Sequence, residues 1–198
     1  MKTPIIHLVV EDQLSARVAE KLILKSNRGF QVGRTDIRRG FGNIKNSIVN
    51  FNQAAQITPY LIITDLDSHP CPVEMRREWF IRAQHPNLIF RIAVREAEAW
   101  LLADRQRFAD FLHVSKDLVT RDPETLLDPK SALMQIVKRS KKRNVRVDIL
   151  PEGDARIGPN YNVRLSDFVV NHWDIATARQ NAPSLERAMH SLETFQPV

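Results

Sequence analysis

Three short apolar runs, Ile5–Val10, Tyr60–Thr64 and Leu88–Val94, alternate with stretches whose apolar residues recur at helical spacing. Nothing else in the chain constrains the fold as strongly. Runs of this length read as strands buried on both faces. Between the first two, Leu14, Val18, Leu22 and Leu24 predict a helix to about Ser26. A weaker strand is expected between Gly29 and Arg38. Gly40 and Gly42 then break the chain before a helix with Ile44, Ile48, Phe51 and Ala55 on one face. Strand–helix alternation up to residue 112 predicts an α/β fold, a mostly parallel sheet flanked by helices.

The rest of the chain reads differently. His69-Pro70-Cys71-Pro72 predicts a rigid turn before a helix over 73–83, and Ala97–Leu112 predicts a helix that kinks at Asp104. Asp128-Pro129 has the form of an N-cap followed by proline at the first helical position. Residues 147–165, rich in Gly, Pro and Asn, predict an ordered loop, and two helices are expected over 166–173 and 184–195. Trp79, Trp100 and Trp173 are expected in the core. This gives a core over 1–115 and a helical addition over 116–198 packed on it, together one structural domain. At 198 residues the chain is long enough for such a core.

Several classes are disfavoured. The longest apolar runs are far too short to cross a bilayer, so no membrane association is expected. The N-terminal stretch Met1–His7 lacks the apolar segment and cleavage site of a secretory leader. The one cysteine, Cys71, has no partner for an internal disulfide. These points together predict a cytoplasmic protein.

The net charge of +6 is localised. Residues 138–146 carry six basic side chains and no acidic one; removing them from 29 Lys and Arg leaves 23, equal to the 23 Asp and Glu. Lys138, Arg139, Lys141, Lys142 and Arg143 are therefore candidate nucleic-acid contacts, to DNA or RNA, because such a run neutralises phosphates. A solvated helix end is the plainer alternative.

Carboxylates cluster where the strands end. Glu11-Asp12 follows the first run, Asp65-Leu66-Asp67 ends the second, and Glu96-Ala97-Glu98 follows the third. Open α/β sheets bind ligands outside the carboxyl ends of their strands. Carboxylates brought together there raise one another's pKa unless a cation joins them. Asp65, Asp67, Glu96 and Glu98 are thus candidate ligands of Mg²⁺ or Mn²⁺, and Glu11 a candidate ligand or general acid/base. Asp12 is well placed to be an N-cap.

Glutamate at the end of the first strand with Asp-x-Asp at the end of a later one resembles the Toprim domain of topoisomerases, primases and overcoming-lysogenization-defect nucleases. The stretches Phe90–Asp104, Asp128-Pro129-Lys130, Ile157–Asn162 and Ala182–Leu185 resemble a bacterial family of Toprim-like proteins, over nearly the whole chain. The resemblance implies a Toprim/Rossmann-like core and a metal-dependent nuclease. Glu11 would be catalytic or a metal ligand, Asp65 and Asp67 would hold Mg²⁺, and Glu98, alone or with Glu96, would complete a second metal site. Lys130 would offer charge to a phosphate. It also implies an ATPase partner of the ATP-binding-cassette type and a role in phage defence. The pattern departs at Pro70, where Toprim loops carry glycine, so a different loop backbone is expected.

Two other functions fit the same residues: a non-catalytic module that binds nucleic acid or an ATPase, and a receiver that accepts phosphate on Asp65. Whether the chain forms a homo-oligomer is not fixed by an apolar helix stripe.

Overall fold

In the computed structural model, Ile5–Val10 forms β1, Gln31–Ile37 β2, Tyr60–Asp65 β3 and Leu88–Ala93 β4. Residues 4–198 are described; Met1–Thr3, part of the stretch read for a leader, lie outside the described residues. The strands form one all-parallel sheet in the order β2-β1-β3-β4. Helix α1 (Gln13–Lys25) joins β1 to β2, and α2 (Phe41–Ala54) carries the chain back past β1 to start β3. The winding therefore reverses between β1 and β3, and a crevice outside their carboxyl ends is the expected ligand position.

Strand side chains sort by a period of two. Ile6, Leu8, Val10, Leu61, Ile63 and Ile89 enter one apolar cluster, beneath α1. Val9, Ile62, Leu88 and Phe90 enter the other, beneath α2 and α3 (Pro72–Trp79). Both faces are covered, which is why the strands read as continuous apolar runs. The predicted helix over 73–83 is shorter than expected: Phe80 leaves the helical region at φ −104°, ψ 82°.

The expected kink at Asp104 is a break between α4 (Ala97–Leu102) and α5 (Arg105–Leu112). Asp104 is fully buried, accepts the Asp174 N–H at 2.8 Å and faces Arg107 at 3.4 Å. Next comes α6 (Pro129–Lys138), capped by the Asp128 carboxylate accepting from the Ser131 N–H.

The loop expected over 147–165 is confined to 150–160. On either side lie α7 (Arg143–Ile149) and α8 (Tyr161–Asp167), the latter running into a single π turn over Phe168–His172. Val145 with Ile149, and Tyr161 with Leu165, sit four apart and bury against the α1 cluster; that burial outweighs the turn-rich composition between them. A short α9 (Ile175–Ala178) precedes α10 (Pro183–Thr194).

The buried apolar residues after residue 115 pack into the same cluster as α1 and one sheet face. Polar stitching reinforces the packing. The Trp100 indole N–H donates to Ser184 Oγ at 2.7 Å, and the Ser184 hydroxyl donates to Glu124 Oε1 at 2.6 Å. Trp79, Trp100 and Trp173 are all buried, as expected. No helix among the described residues is long and apolar enough to cross a membrane.

Candidate functional site

The three carboxylate clusters do meet at one sheet edge. Glu11 leaves the end of β1 and crosses to β3, where its Oε1 accepts the Thr64 hydroxyl at 2.6 Å and the Asp65 N–H at 2.9 Å. Asp65 Oδ1 in turn accepts the Ala97 N–H at 3.0 Å, at the start of α4. One chain of hydrogen bonds thus ties the carboxyl ends of β1 and β3 to the turn after β4. Glu11, Asp12, Asp65, Asp67, Arg39 and Lys130 line a cleft of ≈ 420 Å³ at this edge. A larger hollow, ≈ 930 Å³, lies elsewhere, between α1 and the π turn.

The Asp-x-Asp pair reaches the cleft by a different route from the one expected. Strand alternation would hold Asp65 and Asp67 on the same side, but β3 stops at Asp65 and Asp67 adopts a left-handed conformation, φ 50°. Aspartate tolerates that region better than most residues. The turn is pinned from β4: the Asp67 N–H donates to the Arg95 carbonyl at 2.8 Å, and the Arg95 guanidinium donates back to the carbonyls of Asp67 and His69 at 3.0 and 3.2 Å. The loop ahead of Pro70 therefore takes its shape from Arg95.

Glu96 and Glu98 are organised around a cation supplied by the chain itself. Lys130, in the first turn of α6, places its ammonium 3.8 Å from Glu96 and 3.5 Å from Glu98. Glu96 also accepts the Lys130 N–H at 2.8 Å, and buried Glu98 accepts the Tyr161 hydroxyl at 2.7 Å. Arg91 and Arg95, the arginines nearest these glutamates in sequence, are engaged with other groups, Ser191 and the Asp67 carbonyl. Asp12 caps α1, accepting the Ser15 N–H at 2.8 Å.

The electrostatics follow from this packing. Burial pushes the Glu11 carboxyl above its ordinary value, against the lowering effect of its two hydrogen bonds. Burial, then the charges of Glu98, Glu11 and Asp67, push Asp65 well up. Burial raises Asp67 while Lys130 opposes it, and burial with Glu98 raises Glu96. Burial alone would weaken the Lys130 ammonium, but Glu98, Glu96 and Asp65 outweigh it and hold the proton more firmly. Burial and the neighbouring Glu98 keep the Tyr161 phenol protonated.

Among the described residues, no group of three or more His, Cys, Asp or Glu side chains is set to hold a metal ion. The donor set nevertheless suits a hard divalent cation in kind. Asp65 is crowded by four acidic neighbours, Glu98, Glu11, Asp67 and Asp12, and neither its Oδ2 nor the Asp67 carboxylate accepts a hydrogen bond from the described residues. Glu11, Asp65 and Asp67 are the residues that would hold such an ion. Glu96 and Glu98 already face Lys130.

The predicted phosphate-binding run lies apart from these carboxylates. Lys138 is eight residues beyond Lys130 on α6, which at helical rise puts it ~12 Å along the axis. Lys138, Arg139, Lys141, Lys142 and Arg143 are all exposed. Thr64 and Arg39 belong to the site although no motif marks them, and so does Tyr161, which lies in the resembling stretch Ile157–Asn162 but carries no assigned role there. A threonine closing an apolar strand is a faint signal for the first. The other two are brought in only by tertiary packing.

The fold and site define a doubly wound α/β protein with an acidic cleft at its switch point. Comparison with protein-family models, with curated proteins and with solved structures returned no match.

Proposed function

We propose that this chain is a metal-dependent phosphodiesterase acting on nucleic acid, a Toprim-like nuclease. The observation that carries the reading is the Glu11–Asp65 hydrogen bond across the switch point, with Asp67 in the same cleft. A divalent cation held there would supply a polarised water and neutralise charge on a phosphodiester. The chain's own groups do the rest. Glu11, its carboxyl raised by burial, takes or returns a proton near neutral pH better than an ordinary glutamate. Asp65 and Asp67 would hold that ion, with the reacting phosphate against it, at the mouth of the cleft. Lys130 presents a firmly protonated ammonium at the cleft wall. Cooperation with an ATPase in phage defence belongs to the same proposal and rests on the sequence resemblance alone.

The Lys130 arrangement favours a second reading. An internal ammonium between Glu96 and Glu98 leaves fewer carboxylates for metal, which suits a module that binds nucleic acid without cutting it.

Labelled single-stranded and duplex DNA and RNA, incubated with the protein in Mg²⁺, Mn²⁺ or EDTA, separate the two. Metal-dependent cleavage that disappears in Asp65→Ala/Asp67→Ala supports the nuclease. Binding that survives that double substitution, with no cleavage by wild type, supports the module. Phosphate transfer to Asp65 from a small phosphodonor overturns both in favour of a receiver.

A further inference from the structure

We propose that the basic run and the cavity beside it form a seat for an unpaired nucleotide, so that the nucleic acid is single-stranded where it meets this face. The inference deepens the nucleic-acid reading above and rests on it for the class of ligand.

Two independent features adjoin here. The first is the run itself: Lys138, Arg139, Lys141, Lys142 and Arg143 are exposed, and none has an acidic partner within 4.0 Å among the described residues. The second is a cavity of ≈ 620 Å³ walled by α5, α7, α8 and the π turn. They are held together by the turn between α6 and α7. Lys141 donates its N–H to the His113 carbonyl at 3.2 Å, and Ser140 donates its hydroxyl to the Leu112 carbonyl at 2.6 Å. Asn144, one residue after the last of these five cations, lines the cavity.

The cavity has the chemistry of a base site rather than a phosphate site. Its two guanidiniums are already committed: Arg107 to Asp104 and Asp174, Arg164 to Asp148. Its remaining polar wall is amide and imidazole, Asn144, Asn171, His113 and His172, together with two carboxylates that repel a phosphate. These are Asp110, which accepts from Gln106, and Asp167, which accepts the Asn171 amide N–H at 2.7 Å. Phe111 supplies an aromatic wall, with its ring centroid 5.3 Å from His172 and 5.2 Å from Phe168. A flat, neutral, hydrogen-bonding group fits such a lining, while uncommitted positive charge sits just outside. Proteins that hold single strands combine these two parts, a basic track for the backbone and aromatic faces for bases. A paired base within a duplex does not present its face to such a wall.

The test is fluorescence anisotropy of the full-length protein in EDTA, which prevents cleavage, with labelled single-stranded DNA and RNA oligonucleotides and a duplex of the same sequence. Single strands are expected to bind at least tenfold more tightly than duplex. The slope of log affinity against log salt should be roughly −3, for four to five neutralised phosphates at ~0.7 each. His172→Ala, and Phe111→Leu (which keeps apolar bulk), should each weaken single-strand binding about tenfold and leave duplex binding within twofold. Lys141→Glu/Lys142→Glu should weaken both. Circular dichroism checks that each variant is folded. Equal or tighter duplex binding, cavity variants without effect, or no binding at all overturns the proposal. Metal-dependent cleavage accompanied by duplex preference would sink this inference and leave the acidic site standing. Single-strand binding without cleavage would do the reverse.

Discussion

The Glu11 carboxylate and the Asp65 backbone N–H meet at 2.9 Å across the gap between β1 and β3. This bond lies where the winding of the sheet reverses, so no intervening strand separates the two residues. It makes Glu11 both a functional candidate and a structural link between two strand ends.

The two roles separate by substitution. Glu11→Gln keeps an oxygen to accept from Thr64 and Asp65 but removes the carboxylate. It should leave stability within about 1 kcal/mol of wild type and lower cleavage by ~100-fold or more. Glu11→Ala leaves the Thr64 hydroxyl and Asp65 N–H without that acceptor, at a cost of ~1–3 kcal/mol. Urea denaturation and a cleavage assay on both variants test this; a Glu11→Gln variant with wild-type activity would remove Glu11 from the chemistry.

The raised carboxyls predict a direction for pH dependence. Glu11, Asp65, Asp67 and Glu96 hold their protons more tightly folded than unfolded. Their stabilising contribution is complete below the unfolded pKa, ~4, and is lost as pH rises through the folded values. Each tenfold gain in proton affinity on folding is worth ~1.4 kcal/mol. Asp148 and Glu186, whose carboxyls are lowered by hydrogen bonds, act oppositely, but only as pH falls below ~4. Metal-free protein should therefore have a higher Tm near pH 5 than near pH 8. Asp65→Asn should narrow the difference, and Mg²⁺ should raise Tm at pH 8. A profile that rises from pH 5 to 8 contradicts this.

Lys130 and Glu98 form a partly buried pair that is asymmetric to break. Lys130→Met strands the Glu98 carboxylate, whose side chain is only 4% exposed, and should cost ~3 kcal/mol. Tyr161→Phe removes the other group bonded to Glu98 and should cost ~1–3 kcal/mol. Glu98→Gln combined with Lys130→Met should recover part of the loss. A double-mutant cycle by chemical denaturation measures the coupling, and additive losses would mean that the pair is not one unit.

Two glycines predict opposite signs. A Cβ on Gly158 would stand 2.5 Å from the Asp148 carbonyl oxygen, and the Gly158 N–H donates to the Ile149 carbonyl at 3.0 Å. Gly158→Ala should destabilise by at least ~2 kcal/mol, because backbone and not a flexible side chain must move. Gly42, inside α2, has nothing within 4 Å of a built Cβ. Gly42→Ala should stabilise by up to ~1 kcal/mol. Thermal unfolding of both variants checks the pair.

Much of the α/β core was legible because burial on both sheet faces demands uninterrupted apolar strands. Ile5–Val10, Tyr60–Asp65 and Leu88–Ala93 carry that pattern within a residue of their ends. Helices α1 and α2 were legible from the spacing of their apolar residues, and the strand-end positions of Glu11, Asp65, Glu96 and Glu98 followed from the strands. The break at Asp104 was visible, but not its cause, which is a carboxylate buried against Asp174, seventy residues away in sequence. Helix α7 and the start of α8, residues 161–165, were hidden because each helix is seven residues long, too short to hold without the cluster it packs into. The helix expected over 166–173 is met by the end of α8 and its π turn. Only the tertiary structure decided that Lys130 stands between Glu96 and Glu98, that Tyr161 holds Glu98, and that the basic run lies at the far end of α6 from the acidic cleft. Local sequence determines which face a side chain takes on its own strand or helix. Which charges meet depends on how distant segments dock, and that is set by burial of the shared core.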